Sequence, residues 1–236
     1  MNRVWINMTM AVAVCTLPSF CQDKVPLYRV TAIQRNVDSV NYQYRSGPTK
    51  VDFHGTVLLP SAKGDATVES QKGHTGIDAR FEGLAAPQRY GREYLSYVLW
   101  AVTPDGAAHN LGEVLPNSSD KAHVPVTTDL QAFGLIVTAE PYASVRHPSD
   151  VVVLENQVRS DTVGEVRPIQ AKVELMPRGA YTWNVPDSET AGVSNAPKVS
   201  MSRYQAILQV YEARNALGIA RTAGAEQAVP FGAREN

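Results

Sequence analysis

The stretch "EYLSYVLWAVTPDGAAHNLGEV", residues 93–114, decides how the chain is read. Successive side chains of a strand point to opposite faces. Leu95, Tyr97, Leu99 and Ala101 then point one way, and Tyr94, Val98, Trp100 and Val102 the other. Both faces are apolar, which predicts a central strand covered on each side. "TPDG" at 103–106 follows as a tight turn, with Pro104 fixing φ at its second position, Asp105 third and Gly106 free to take positive φ. The chain returns as a hairpin and carries His109 on its second strand. Trp100 is expected in the core, where its indole N–H needs one partner. His109 is expected as a polar residue of the return strand.

Working outward, short β-branched or alternating runs recur between Gly, Pro, Asp and Asn clusters: "LYRVTAI", "DFHGTVLL", "DATVES", "GIDARFEGL", "AHVPVTT", "AFGLIVTAE", "DVVVLEN" and "IQAKVEL". Ile77, Ala79 and Phe81 alternate cleanly with Asp78, Arg80 and Glu82, one face for the core and one for water. "FGLIVTAEPYASV", residues 133–145, reads as a second central strand ended at Glu140 by Pro141, which cannot donate to a ladder. Regular short strands with turns between them predict an all-β fold, an immunoglobulin-like or cupredoxin-like β-sandwich over residues 22–176 with one C-terminal α-helix.

The ends differ in kind. Arg3 precedes the apolar run "VWINMTMAVAVCTL", and Ser19 and Cys21 supply small side chains before a cut between Cys21 and Gln22. Residues 1–21 are therefore expected to be a signal peptide for Sec-type export to the periplasm or cell envelope. A lipoprotein acylated at Cys21 is one alternative, although Phe20 stands where a small residue is needed, and an uncleaved anchor is another. Asn7 and Thr9 interrupt the run, which falls short of the roughly 20 residues of an integral span. Cys15 and Cys21 are the only cysteines, so a mature chain would hold no disulfide and no thiolate. Of 22 basic residues, 21 would remain against 23 acidic ones once Arg3 is removed. Near-neutral charge without basic blocks argues against nucleic acid as a partner.

Residues 177–199, rich in Pro, Gly, Ser and Asn, are expected to be a linker. A helix is predicted over 200–224, with Ser202 as N-cap and Gln205 three residues on as a capping box, and a disordered tail over 225–236. Tyr204, Ile207, Leu208 and Tyr211 fall on one face of that helix. This stripe needs a partner: the sandwich, another chain, or sequence beyond this one. Tyr204, Leu208 and Tyr211 are the candidate docking face, for an envelope protein or for self-association.

Common chemistries find little footing. His54, His74, His109, His123 and His147 lack the i, i+2 spacing that would set two ligands on one strand face, so no metal site is expected. A blue-copper centre needs a Cys thiolate. Neither a Gly-x-Ser-x-Gly elbow nor a Gly-rich phosphate loop occurs, and no cofactor is expected. Asp129, Glu140, Asp150 and Glu155 stand near predicted strand ends and are read as turn formers and edge charges, with a glycosidic carboxylate pair as the alternative. "NSS" at 117–119 is read as a turn. Tyr90, Tyr94, Tyr97, Trp100 and Tyr142 supply either core packing or a platform for stacking sugar rings.

The segments "GTVLLPSAKGDATVES", "EYLSYVLWAVTPDGAAHNLGEV" and "LQAFGLIVTAEPYASVRHPSDVVVLEN" resemble an uncharacterised group of bacterial envelope proteins. In that group a signal peptide precedes a β-sandwich and an Ala-rich helical segment, often followed by an outer-membrane-protein-A-like peptidoglycan-binding domain. "YEARNALGIARTAGAEQ" is similar to the start of the helical segment, whereas "AVPFGAREN" stands where its longer helix would continue. The resemblance brings no catalytic residues. It implies a non-catalytic, secreted structural or interaction module of the envelope, with a carbohydrate-binding or glycan-acting sandwich as the alternative.

Overall fold

The computed structural model describes residues 37–42, 47–159, 166–169, 175–176 and 200–222. The expected signal peptide, the linker at 177–199, the tail at 225–236 and the candidate strand "LYRVTAI" lie outside the described residues. Ten strands form: β1 (Val37–Asn41), β2 (Thr49–Gly55), β3 (Lys63–Gln71), β4 (His74–Glu82), β5 (Ser96–Val102), β6 (Ala108–Val114), β7 (Lys121–Thr128), β8 (Ala132–Glu140), β9 (Val152–Val158) and β10 (Val166–Ile169). One α-helix among the described residues, α1 (Met201–Thr222), follows. The fold is mostly β with a C-terminal helix, as the strand spacing predicts.

All pairings between these strands are antiparallel, and the main path runs β6-β5-β8-β9-β2-β3-β4-β7, with β10-β1 attached at the start of β8. Its two end strands, β6 and β7, are neighbours in sequence. A Cβ placed on Gly112 of β6 would lie 3.7 Å from Val126 Cγ1 of β7, so the sheet curls until its ends nearly meet. This is close to a barrel, a shape that hides strand edges from other chains. Pro125 sits in β7, where the outer edge has no ladder for its missing N–H to break.

The inward side chains fill the interior. Val51, Phe53, Val68, Ile77, Phe81, Tyr97, Leu99, Phe133, Leu135 and Val137 belong to one buried cluster. Phe53 meets Phe81 edge-on at 5.0 Å between ring centroids. Tyr97 is buried, and its hydroxyl donates to Ala85 O at 2.7 Å. Each large side chain so buried contributes about 1.5–3 kcal/mol.

β5 is buried at every position, and β8 at all but its first. Their outer face forms a second cluster, in which Val98, Trp100, Val102, Ile136 and Val152 pack with Val145 and Leu175. The covering layer is the 141–151 segment, tied to Met176 by Asp150 N to Met176 O at 2.9 Å and Met176 N to Pro148 O at 2.8 Å. Bulges tune the facing: β9 gains a residue opposite Val137 and Thr138, which turns both Val153 and Leu154 to the main core.

Three local expectations shift. The strand expected to continue to Leu59 ends at Gly55, because the chain turns over Thr56–Leu59, with Leu59 N bonded to Thr56 O at 3.0 Å and Thr56 Oγ1 donating to Val152 O at 2.7 Å. Tyr94 joins the main core while Leu95 faces the helix, since β5 begins only at Ser96 and alternation does not extend back past it. Tyr204 N bonds to Ser200 O at 2.9 Å, so Ser200 holds the cap position expected of Ser202, which is helical.

Candidate interaction site

The hairpin that opened the reading forms around its turn. Gly106 N donates to Thr103 O at 2.8 Å, and Gly106 takes φ +91°. His109 pairs with Ala101 on the return strand and is exposed. Trp100 has no exposed surface. Its Nε1–H donates to Thr138 Oγ1 at 2.8 Å, and Thr138 Oγ1 donates to Glu140 Oε1 at 2.5 Å. The same carboxylate oxygen accepts Ser149 N–H at 2.6 Å, while Ser149 Oγ donates to Ala139 O at 2.7 Å. Glu140 is fully buried, and desolvation, with Asp150 adding a smaller push, lifts its carboxyl to about 8. Burial thus favours the protonated form of Glu140, which serves as an internal knot and not as the solvated edge charge expected of it.

Of the other carboxylates, Asp150 stands near Glu140, Asp129 is exposed, and Glu155 faces His54 at 3.9 Å across β9 and β2. Tyr94, Tyr97 and Trp100 are buried, and Tyr90 and Tyr142 are partly buried, so the structure does not gather these five into one face. His123 Nε2 lies 2.9 Å from Asp78 Oδ2 on the outer sheet surface. Among the described residues no three His, Cys, Asp or Glu side chains converge as a metal site. "NSS" forms the expected turn: Asn117 Oδ1 accepts Ser119 N–H at 2.9 Å, and Asp120 takes φ +57°.

The helix stripe meets the sheet of its own chain. Leu208 is 2% exposed and packs with Leu95, flanked by Leu115, Tyr204 and Tyr211. Two polar side chains fix the helix rotation. Glu212 Oε1 accepts Ala143 N–H at 3.0 Å, and Asn215 Nδ2 donates to Pro141 O at 2.9 Å and Glu93 O at 2.5 Å. Glu113 of β6 accepts Ser96 Oγ–H at 2.6 Å beside them. Burial first, and then the Glu113 charge, push the Glu212 carboxyl up to about 7. The Tyr204 hydroxyl is raised by burial and by the same two carboxylates. No patterning rule for a surface helix predicts Glu212 and Asn215 on the docked face; their spacing of four and seven residues from Leu208 was the available signal.

The helix therefore holds the beginning of the 141–151 segment, and that segment covers Trp100. Opposite the docked face, Val210 and Leu217 are 51% and 50% exposed. Among the described residues no helix is long and apolar enough to cross a membrane. No family model matches the chain, and comparison with curated proteins and with solved structures finds no match.

Proposed function

We propose that this chain is a non-catalytic structural or interaction module of the bacterial cell envelope, exported through residues 1–21 and akin to the signal-peptide, β-sandwich and helix group it resembles. The observation that supports it is the clamped helix: α1 is fixed to the sheet by Leu208, Glu212 and Asn215 and offers its other face outward. Such a rigid mount suits a partner surface, since a fixed helix loses little conformational freedom on binding. Within this reading the immunoglobulin-like or cupredoxin-like assignment treats β6-β5-β8-β9 and β2-β3-β4-β7 as two facing halves of the curled sheet. The glycan-binding alternative would rely on Tyr90 and Tyr142.

The test is expression of the full chain in a bacterial host, with intact mass and cell fractionation as readouts and photo-crosslinkers placed on the sheet and on α1. Processing between Cys21 and Gln22 with envelope crosslinks is the expected result. An unprocessed cytoplasmic product would overturn the export reading, and turnover or capture of purified peptidoglycan fragments would favour the glycan alternative.

A further inference from the structure

We infer that the 141–151 segment is a proton-controlled lid, closed over Trp100 while Glu140 carries a proton and lifted when that carboxyl ionises. Such a lid is a property of the fold and holds independently of the interaction-module reading. Glu140 has no exposed surface, and its Oε1 accepts Thr138 Oγ1–H at 2.5 Å and Ser149 N–H at 2.6 Å. Oε2 is equally buried and meets no donor. Among the described residues no Lys, Arg or His pairs with this carboxyl. A protonated carboxyl tolerates such a place, whereas an ionised one taken out of water needs donors on its oxygens or a paired cation. Asp150 adds a like charge and opposes ionisation further.

The ionised form is satisfied by water, and the element able to move and admit it is the lid. Up to Glu140, β8 is laddered to β5 on one side and to β9 on the other. The lid is held at points instead. Asn110 Nδ2 donates to Ala143 O at 2.8 Å and to Val145 O at 2.9 Å, Glu212 Oε1 accepts Ala143 N–H at 3.0 Å, and Ser149 forms a single bridge with Met176. A segment with so few backbone bonds opens at lower cost than a laddered strand. Ser149 is bonded to Glu140 itself and Val145 packs with Trp100, so water that reaches Oε2 loosens the cover of the indole.

Little else near Glu140 carries charge. β5 sets Ser96 opposite it in the ladder, and the start of β9 brings Val152 and Val153. From the lid, Asp150 and Tyr142 face it, and Arg146 faces Tyr142. α1 reaches the lid through Glu212 at Ala143. In the closed form the Glu140 proton is held up to about 8, and in the open form it leaves near the ordinary 4.5. Closing is therefore strongest below the lower value and weakens as pH rises through the upper one, by up to about tenfold per pH unit.

The experiment follows acrylamide quenching of Trp100 in the purified full chain, taken as the difference from Trp100→Phe in each background, between about pH 5 and about pH 9. Quenching is expected to rise with pH while the far-ultraviolet circular dichroism stays constant. Glu140→Gln keeps the Oε1 acceptor and cannot ionise, so Trp100 should stay shielded at every pH. Glu212→Gln should keep the rise, which separates the lid from the helix contact. Quenching that does not change with pH, that still rises in Glu140→Gln, or that stops rising in Glu212→Gln would overturn the inference. So would a rise that runs together with loss of the sheet's circular dichroism. The infrared carboxylic-acid band of the Glu212→Gln chain reads Glu140 without replacing it, and its loss should coincide with the rise in quenching. A band that persists after Trp100 has opened would overturn the inference even if Glu140→Gln failed to fold. Export and envelope crosslinking are unaffected by any of these outcomes, so the two readings fail separately.

Discussion

The side-chain amide of Asn215 donates to the carbonyl oxygen of Pro141 at 2.9 Å, so the C-terminal helix is bonded to the residue that follows the buried Glu140. The lid over Trp100 and the seat of α1 are consequently one segment of chain.

Leu208→Ala should release α1 while the sheet stays folded. Removing a buried Leu side chain costs about 2–5 kcal/mol, and Leu208 is the most buried apolar residue of the helix. Proteolysis within 200–222 should accelerate sharply, whereas the denaturant midpoint of the sheet should move little. Unchanged cleavage would show that the Leu95 contact does not hold the helix.

Helix docking should weaken as pH rises from about 5 to 8. Glu212 is raised from its ordinary 4.5 to about 7 in the docked state. Between those values the docked form keeps a proton that the undocked form releases, so docking is strongest below the lower value and declines through the upper one. Glu113 and Tyr204 are the titratable groups that face Glu212. Glu212→Gln should flatten the profile, read as the distance between labels at Ser118 and Gln209.

Trp100 should fluoresce blue-shifted and resist acrylamide quenching, in the difference between wild type and Trp100→Phe. Thr138→Val removes the acceptor of its indole N–H, leaving a buried donor unpaired at a cost of about 1–3 kcal/mol. A lower melting midpoint with an altered Trp100 emission is the expected outcome.

Gly55→Ala should destabilise the sheet by about 1–3 kcal/mol in a denaturant melt, as overpacking does. A Cβ there would lie 2.1 Å from Leu59 O, and backbone on both sides of the turn would have to shift. An unchanged midpoint would mean that the Thr56–Leu59 turn relaxes freely.

Much of the sheet is legible from local pattern. "AFGLIVTAE" matches β8 residue for residue, and Pro141 ends it for the reason a sequence reader gives, its missing N–H. β1 went unmarked because "VDSVN" is short and half polar, and its stability comes from pairing with β8 and β10. Glu140 was the hardest to read. A carboxylate at a strand end resembles an edge charge until Ser149, nine residues on, folds back to cover it. The available signal was Thr138, which shares its face with Glu140 in an otherwise apolar strand.

What the sequence determined alone is what depends on neighbours along the chain: the alternation of β4, the two apolar faces of β5, the Thr103–Gly106 turn and the apolar stripe of α1. These follow from backbone periodicity and turn chemistry, which act over a few residues. The tertiary structure alone decided the curl that brings β6 to β7, the burial of Glu140 and Glu212, and the seating of Tyr204, Leu208 and Tyr211 on Leu95 and Leu115. Those depend on which distant segments exclude water from a given side chain, and solvent exclusion belongs to the packed whole and not to any stretch of sequence.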